Sequence, residues 1–495
     1  MEKHRFRRTT LIIAGCLAAL VGLGLARKVS FEPPLLGLLL VTCCMLLIRP
    51  KNTTSLIVVI FLGLGLGLWR GSLYMDKLHY LKTLSGQKVA VEVTATSDAV
   101  YAERSQLEFT ANHAQLLEVN QGQTLKNYNK DLAGSFKISG FGLPMVYRGD
   151  KILVSGKLYP MRGSNQARIA YAQLKRTGLD HSWINRFTRR FSAGMQSALP
   201  EPQASFGLGL LIGQRSNLPK EILNQLTIVG LIHIVAVSGY NLTILVRGIG
   251  RLRLGSKYQR LILSLALIGG FILMTGFSAS IVRAAIVSVL GLWAWYYGRH
   301  FRPILILSFT AALTGLFNPF YVWGDLGWYL SFLAFFGVLI IAPAVVKKLR
   351  RRPKFLTMIF IETLAAQIMT LPLIMMTFGR LSLISLLANV LVVWLIPFAM
   401  LLSAIAAGAG MWLPALAGWL AWPANLLLTY ILDIARLLAG VPAASLHTTI
   451  SPDIMLSIYG VVLLLVIFLH RHKKSKDDTT TPKQAKAATG QADYA

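Results

Sequence analysis

The chain has 495 residues, 54% of them hydrophobic and only 14% charged, a composition outside the soluble globular range that makes lipid the expected solvent. Its formal net charge of +30 excludes neither a membrane surface nor a polyanionic substrate, because both attract cations; their placement along the chain has to decide. The three cysteines, Cys16, Cys43 and Cys44, all fall in the first two apolar runs, which argues against a disulfide scaffold.

The N-terminal MEKHRFRRTT followed by LIIAGCLAALVGLGLA has the order of a secretory leader. No small-residue cleavage site stands out and two further apolar runs follow, so it is expected to be a retained first span. Runs at 11 to 26, 35 to 48 and 55 to 69 predict a three-span anchor over residues 1–69. From about residue 70 the pattern changes to short alternating stretches, KVAVEVTATS, QLEFTANHAQLL, GSFKISGF and DKILVSGKLY, separated by Gly, Asn and Asp. They predict a small antiparallel β domain over 70–182, of a size that suits an OB-like barrel, a fold whose sheet face and loops bind oligonucleotides.

Residues 70–190 hold 18 Lys or Arg against 9 Asp or Glu, a surplus that fits a phosphate backbone and equally fits ordinary surface charge. Tyr101, Phe109, Phe136, Phe141 and Tyr147 are the aromatic candidates for base stacking, with Lys137 and Arg148 as cationic companions; strand aromatics also form cores, so both roles stay open. WINRFTRRFSAGMQSAL places Trp183, Phe187 and Phe191 at four-residue spacing with Arg186, Arg189 and Arg190 between them. That pattern predicts an amphipathic helix, lying in the membrane interface or docked on the β domain, within an interfacial segment 183–227.

Apolar runs then recur near 229–250, 259–275, 281–297, 303–318, 326–346, 355–377, 383–407, 411–438 and 453–470, for about twelve spans in all. Residues 228–470 are expected to form one transmembrane domain and 471–495 a basic disordered cytoplasmic tail. Three loops are strongly basic: Arg251, Arg253, Lys257 and Arg260; Arg299 and Arg302; and Lys347 to Lys354. The alternating turns hold almost no cations, so the basic loops and both termini are expected in the cytoplasm and the β domain outside a cytoplasmic (inner) membrane. Most of the net charge is then explained by anionic lipid without any nucleic acid.

Polar groups inside spans are more informative, because they face a bundle interior or water. The run VGLIHIVAVSGYNLTILVRGIG carries His233, Ser238, Gly239 and Asn241, with Ser-Gly placed to loosen the helix. In MTGFSASIVRAAIVSVLG, Ser278 precedes a helix whose first turns carry Arg283, an arrangement that suits an anion; Arg283 can instead snorkel, or pair with Asp325. Further along lie Gln367, Thr370 and Pro372, then Gly379, Arg380 and Ser382, then Asn389 and Pro397, which serve equally as helix-packing groups.

The segments LGLLIGQRSNLP, GLIHIVAVSGYNL, TGFSASIVRAAI, WGDLGWYLSFLAFFGVL and the Gln-Thr-Pro, Gly-Arg-Leu-Ser, Ala-Asn series, in this order, resemble the competence domain of the ComEC family over roughly residues 203–470. The upstream β domain resembles that family's OB-like extracellular domain in position and size. The resemblance implies passage of one strand of incoming DNA through the bundle during natural transformation, with a receptor outside, a separate nuclease and a cytosolic motor as partners. No Walker-type loop occurs in the chain. Tyr240 and Asn241 stand where many members read Leu-His, and nothing resembling those members' C-terminal metallo-β-lactamase-like domain follows the last apolar run. With no His-x-His-x-Asp-His cluster and scattered histidines, no cofactor, metal or intrinsic nuclease activity is expected. Two other classes stay open. A secondary transporter or lipid-linked flippase would show internal repeats, which are not evident, and an intramembrane hydrolase using Ser238 and His233 would need a broken helix, since five residues separate them by about 140°.

Overall fold

The computed structural model describes residues 6–29, 52–101, 106–121, 124–132, 134–143, 145–161, 165–178, 182–214, 218–235, 239, 242, 246, 256–299, 302–349, 353–442 and 444–477. Two apolar helices, α1 (Arg8–Leu25) and α2 (Thr53–Thr83), pack backbone to backbone. A Cβ at Gly22 would stand 2.2 Å from the Leu64 carbonyl, one at Gly63 2.3 Å from that of Gly15, and one at Gly67 2.1 Å from that of Ala19. Small residues allow the close approach that drives helix association in lipid, where apolar burial gives no preference. At ~1.5 Å per residue α2 is about 46 Å long, more than the ~30 Å hydrocarbon core. Beyond its spanning part it continues toward the β domain, whose apolar core includes Leu81 and, just after the helix, Leu84.

That domain contains β1 (Lys88–Ala95), β2 (Val100–Tyr101), β3 (Leu107–Gln121), β4 (Thr124–Leu132), β5 (Phe136–Phe141), β6 (Lys151–Pro160) and β7 (Ala167–Gly178). Alternation sets the inward face: Val89, Val91 and Val93 of β1 meet Leu107 and Phe109 of β3 and Ile152 and Val154 of β6 in one core. The pairings run β1–β3, β3–β5, β5–β7, β7–β6 and β6–β1 and so return to their start, while β2 and β4 pair with β3. The sequence predicts an antiparallel sheet; β5–β7 is parallel instead. Five strands paired in a cycle cannot alternate direction at every step, and this is the step that does not.

The longer helices that follow are α3 (Trp183–Ala198), α4 (Gln203–Ile212), α5 (Lys220–Ile228), α6 (Lys257–Thr275), α7 (Ala279–Tyr296), α8 (Pro303–Phe317) and α9 (Leu326–Phe336), then α10 (Phe355–Phe378), α11 (Ser385–Val392), α12 (Ile396–Trp412), α13 (Ala417–Ala439) and α14 (Pro452–Asp477). α9 continues through a π turn at Gly337–Ile341, where Gly337 lies against the Ala365 carbonyl of α10. Among the described residues eight helical segments are long and apolar enough to span a membrane, and each falls on one of the twelve runs read from hydropathy. Of the other four, 35–48 and most of 229–250 lie outside the described residues, while 303–318 and 453–470 appear as the shorter apolar helices Pro303–Phe317 and Pro452–Val466.

The helix α3 is not confined to an interface plane. Its Phe191, Gly194, Met195 and Ala198 are buried, and Gly194 meets Ala407, Gly410 and Met411 of α12 backbone to backbone. Its opposite side meets the β domain. The small residues Gly194 and Ala198 explain the difference, because they let an Arg-rich helix sink its apolar stripe into the bundle.

Candidate functional site

The β domain stands at the end of the bundle where α6 finishes and α7 begins. Arg148, in the β5–β6 loop, donates from Nη1 to the Met274 carbonyl at 2.8 Å and from Nη2 to the Leu273 carbonyl at 3.0 Å. A guanidinium here satisfies carbonyls that a helix leaves open at its C-terminus and lies at the negative end of the helix dipole. Gly276, at φ +85°, gives it room, since a Cβ there would stand 2.5 Å from Arg148 Cζ. Lys257, Arg299, Arg302, Lys347 and Lys354 flank the opposite ends of α6 to α10, so the predicted basic loops that are described share the other face. Arg148→Ala is expected to cost about 1.5 to 3 kcal/mol of domain docking, the usual worth of hydrogen bonds from a charged group. Faster proteolytic release of residues 84–182, with the bundle still folded, is the readout.

Within the bundle, Arg283 at the start of α7 is only 2% exposed. Its Nη2 donates to the Gly327 carbonyl at 3.0 Å, and among the described residues its buried Nε and Nη1 have no hydrogen-bond acceptor. Asp325 is also buried and caps α9, accepting from the Trp328 N–H at 3.3 Å. The alternative of an Arg283–Asp325 ion pair is not among the contacts within 4.0 Å of the described residues, and Asp325 Oδ1 instead caps α9. Gly239 itself lies against this place, since a Cβ there would meet Ala284 at 2.7 Å and the Phe335 ring at 3.0 Å. Gly239, Arg283 and Asp325 thus share one neighbourhood, with Ser278 exposed at the N-terminus of α7 and free of any side-chain cap bond.

A second polar seam joins α10, α11 and the segment after α5. Gln367 Nε2 donates to Ser385 Oγ at 2.5 Å, and Gly230, at φ +75°, packs on Ser385 where a Cβ would stand 2.6 Å away. His233 is exposed and holds the Gly230 carbonyl at 2.9 Å through Nδ1. Asn389, one helical turn beyond Ser385, is buried with Oδ1 unpartnered. Arg380 is the exposed residue of strand β8 (Arg380–Ser382), which pairs with β9 (Ser445–His447). Ser238 and Asn241 lie outside the described residues.

On the β domain, Phe109 and Phe136 belong to the core, with Phe109 3% exposed, so neither presents a ring for stacking. Tyr101 and Phe141 are exposed at 59% and 46%. Tyr147 lies beneath the Arg189 guanidinium, 4.6 Å from its ring centroid. Lys137 pairs with Glu108 at 3.0 Å, and Arg168 meets the same carboxylate at 3.4 Å and Ser139 Oγ at 3.2 Å. Sequence reasoning missed Arg168, Arg176, the exposed Tyr159 and Tyr171, and the role of Arg189. No local signal marks them, since Arg168 meets Lys137 only through the parallel β5–β7 register. Among the described residues no group of three or more His, Cys, Asp or Glu stands close enough to hold a metal.

Spanning helices with buried polar seams and a β domain docked at one end define a multi-pass membrane protein. Residues 210–473 match the competence protein family model, more than half of the chain, and the chain belongs to that family. It is 26% identical over 276 residues to ComE operon protein 3 of Bacillus subtilis (strain 168), a match covering 55% of this chain and 35% of that protein. This chain therefore aligns with about one third of the relative's length. No solved structure matches it.

Proposed function

We propose that the chain conducts a single strand of DNA across the cytoplasmic membrane during natural transformation. The observation that carries this reading, beside the family, is Arg283: a buried guanidinium with two nitrogens that lack acceptors among the described residues, in a bundle whose solvent is lipid. Such a charge is costly to bury, and an anionic substrate that passes it supplies the missing acceptors. Gly239 and Asp325 beside it, and the seam of His233, Gln367 and Asn389, supply further polar groups along the bundle. The basic face is the cytoplasmic one, where anionic lipid attracts it, and the β domain and Ser278 lie outside.

The cyclic pairing of β1, β3, β5, β7 and β6 supports an OB-like reading of the outer domain, in which β3, β5 and their loops receive the strand. Tyr101 and Phe141 are the exposed rings for stacking, with Lys137 and Arg168 for phosphate. A receptor outside, a separate nuclease and a cytosolic motor complete the pathway. Full-length protein is expected to bind a fluorescent oligothymidylate with an affinity that falls as salt rises, because displaced counterions drive the binding. Tyr101→Ala with Phe141→Ala is expected to weaken it about tenfold or more, since each stacked base is worth about 1 to 3 kcal/mol. Wild-type protein that binds no oligonucleotide at low salt removes the outer domain from the pathway.

A further inference from the structure

The junction between the β domain and α3 gathers two arginines around one carboxylate. Asp150, in the β5–β6 loop, is 0% exposed and accepts the Tyr147 N–H through Oδ2 at 3.1 Å. Arg176 of β7 approaches Oδ2 at 3.5 Å, and Arg189 of α3 approaches Oδ1 at 3.6 Å. Both distances exceed the ~2.8 Å of a charge-assisted hydrogen bond. Among the described residues, moreover, Arg176 Nε and Arg189 Nη2 have no hydrogen-bond acceptor. The two unpartnered nitrogens are themselves buried and Arg176 Nη2 also donates to the Met145 carbonyl, but the side chains are 30% and 36% exposed, so both arginines reach the surface of the junction. Arg186 and Arg190 are exposed on the same helix, which contains no acidic residue.

The neighbouring Asp98 is differently placed. It accepts the Arg148 N–H at 2.9 Å and Gln214 Nε2 at 3.0 Å, and Gln214 accepts from Ser192 of α3 at 3.2 Å. Asp98 therefore fastens the β domain to α3 and the end of α4 by short bonds, and the fastening does not depend on Arg176 or Arg189.

We propose that Arg176 and Arg189 form a phosphodiester-binding site at the passage from the β domain into the bundle, with the Asp150 carboxylate standing in for phosphate when no strand is present. Phosphate oxygens of an entering strand displace Asp150 from the two guanidiniums and take the donors it leaves unused. Asp150 thereby sets the affinity of the site: it keeps two cations together in the empty protein and competes with the strand. The site rests on the DNA-transport reading and specifies where the strand is handed from one part to the other. A nucleic-acid strand is favoured over a lipid headgroup because Arg176 lies on a strand of the β domain and Asp150 is enclosed between that domain and α3.

Full-length protein in phosphatidylcholine nanodiscs, titrated with fluorescent oligothymidylate at several salt concentrations, tests the site. Arg176→Gln with Arg189→Gln is expected to weaken binding at least tenfold and to lower the slope of log affinity against log salt by about 1.4, roughly 0.7 per lost phosphate contact on a single strand. Asp150→Asn is expected to do the reverse and tighten binding several-fold, an outcome that a purely structural ion pair does not produce. Thermal unfolding checks that each variant is folded, and the salt slope of the double arginine variant decides the matter if Asp150→Asn does not fold. A double variant with the wild-type slope, or a folded Asp150→Asn that binds no more tightly, overturns the site while leaving the transport reading in place. Wild-type protein that binds no oligonucleotide overturns both. Loss of the arginine effect in phosphatidylglycerol nanodiscs, with the double variant retaining less of that lipid, assigns the cations to headgroups and also overturns the site.

Discussion

Arg283→Met is expected to lower internalisation of labelled DNA about 100-fold while the protein stays in the membrane at normal abundance. The two halves of that result have separate causes. In the resting structure, among the described residues, Arg283 makes one hydrogen bond, to Gly327, and buries two donors without acceptors. An apolar side chain of similar length removes that desolvation cost, so stability holds or rises, as when buried ionic groups are replaced by packed hydrophobic ones. Passage of a phosphate loses hydrogen bonds to a charged group worth about 1.5 to 3 kcal/mol, and the upper end corresponds to about 100-fold. Arg283→Lys keeps the charge and loses the fork, so it is expected to fall between the two. Wild-type uptake by cells containing normal amounts of Arg283→Met contradicts the role given to this residue.

Gly410→Leu is expected to abolish folded protein. A Cβ at Gly410 would stand 2.0 Å from the Gly194 carbonyl and 2.8 Å from Ser197 Oγ, and the first neighbour is backbone that no rotamer change can move. The helices α3 and α12 must separate to admit the side chain. That opens the cluster in which Met195, Phe206, Ala407 and Leu428 are buried. Overpacking costs about 1 to 3 kcal/mol in adaptable cores and more where backbones touch, a large part of the ~5 to 15 kcal/mol that keeps a domain folded. Gly269→Ala in α6 is the control, because nothing lies within 4 Å of a Cβ there, and it is expected to leave abundance unchanged. Membrane abundance and thermal aggregation of the two variants check the contrast.

Membrane class, the β domain and the grouping of basic loops were legible because each is a property of consecutive residues: apolar runs, alternation, clustered Lys and Arg. The core position of Phe109 was legible too, since Leu107, Phe109 and Ala111 share one strand face and all three are apolar. The parallel β5–β7 pair was not, because register and order between distant strands leave no local pattern. Hydropathy places the apolar run at 303–318 to within one residue of α8, but it does not say whether a helix of 15 residues crosses the membrane alone. Arg283 was visible as a charge in an apolar run, whereas its Gly327 partner, 44 residues away, was not. Tyr147 and Arg148 were read as facing DNA; the structure places one beneath Arg189 and the other on the end of α6, contacts that only the docked domains create. The Asp150 cluster was illegible for the same reason, since its members come from a loop, a strand and a helix.

The central claim is that a DNA strand crosses the membrane through this chain, and internalisation of end-labelled duplex DNA by competent cells lacking it tests that claim most directly. The account predicts that DNA still binds at the cell surface while no labelled single strand becomes nuclease-resistant inside, and that the wild-type chain restores entry whereas Arg283→Met does not. Normal entry of labelled DNA in the complete deletion would contradict it.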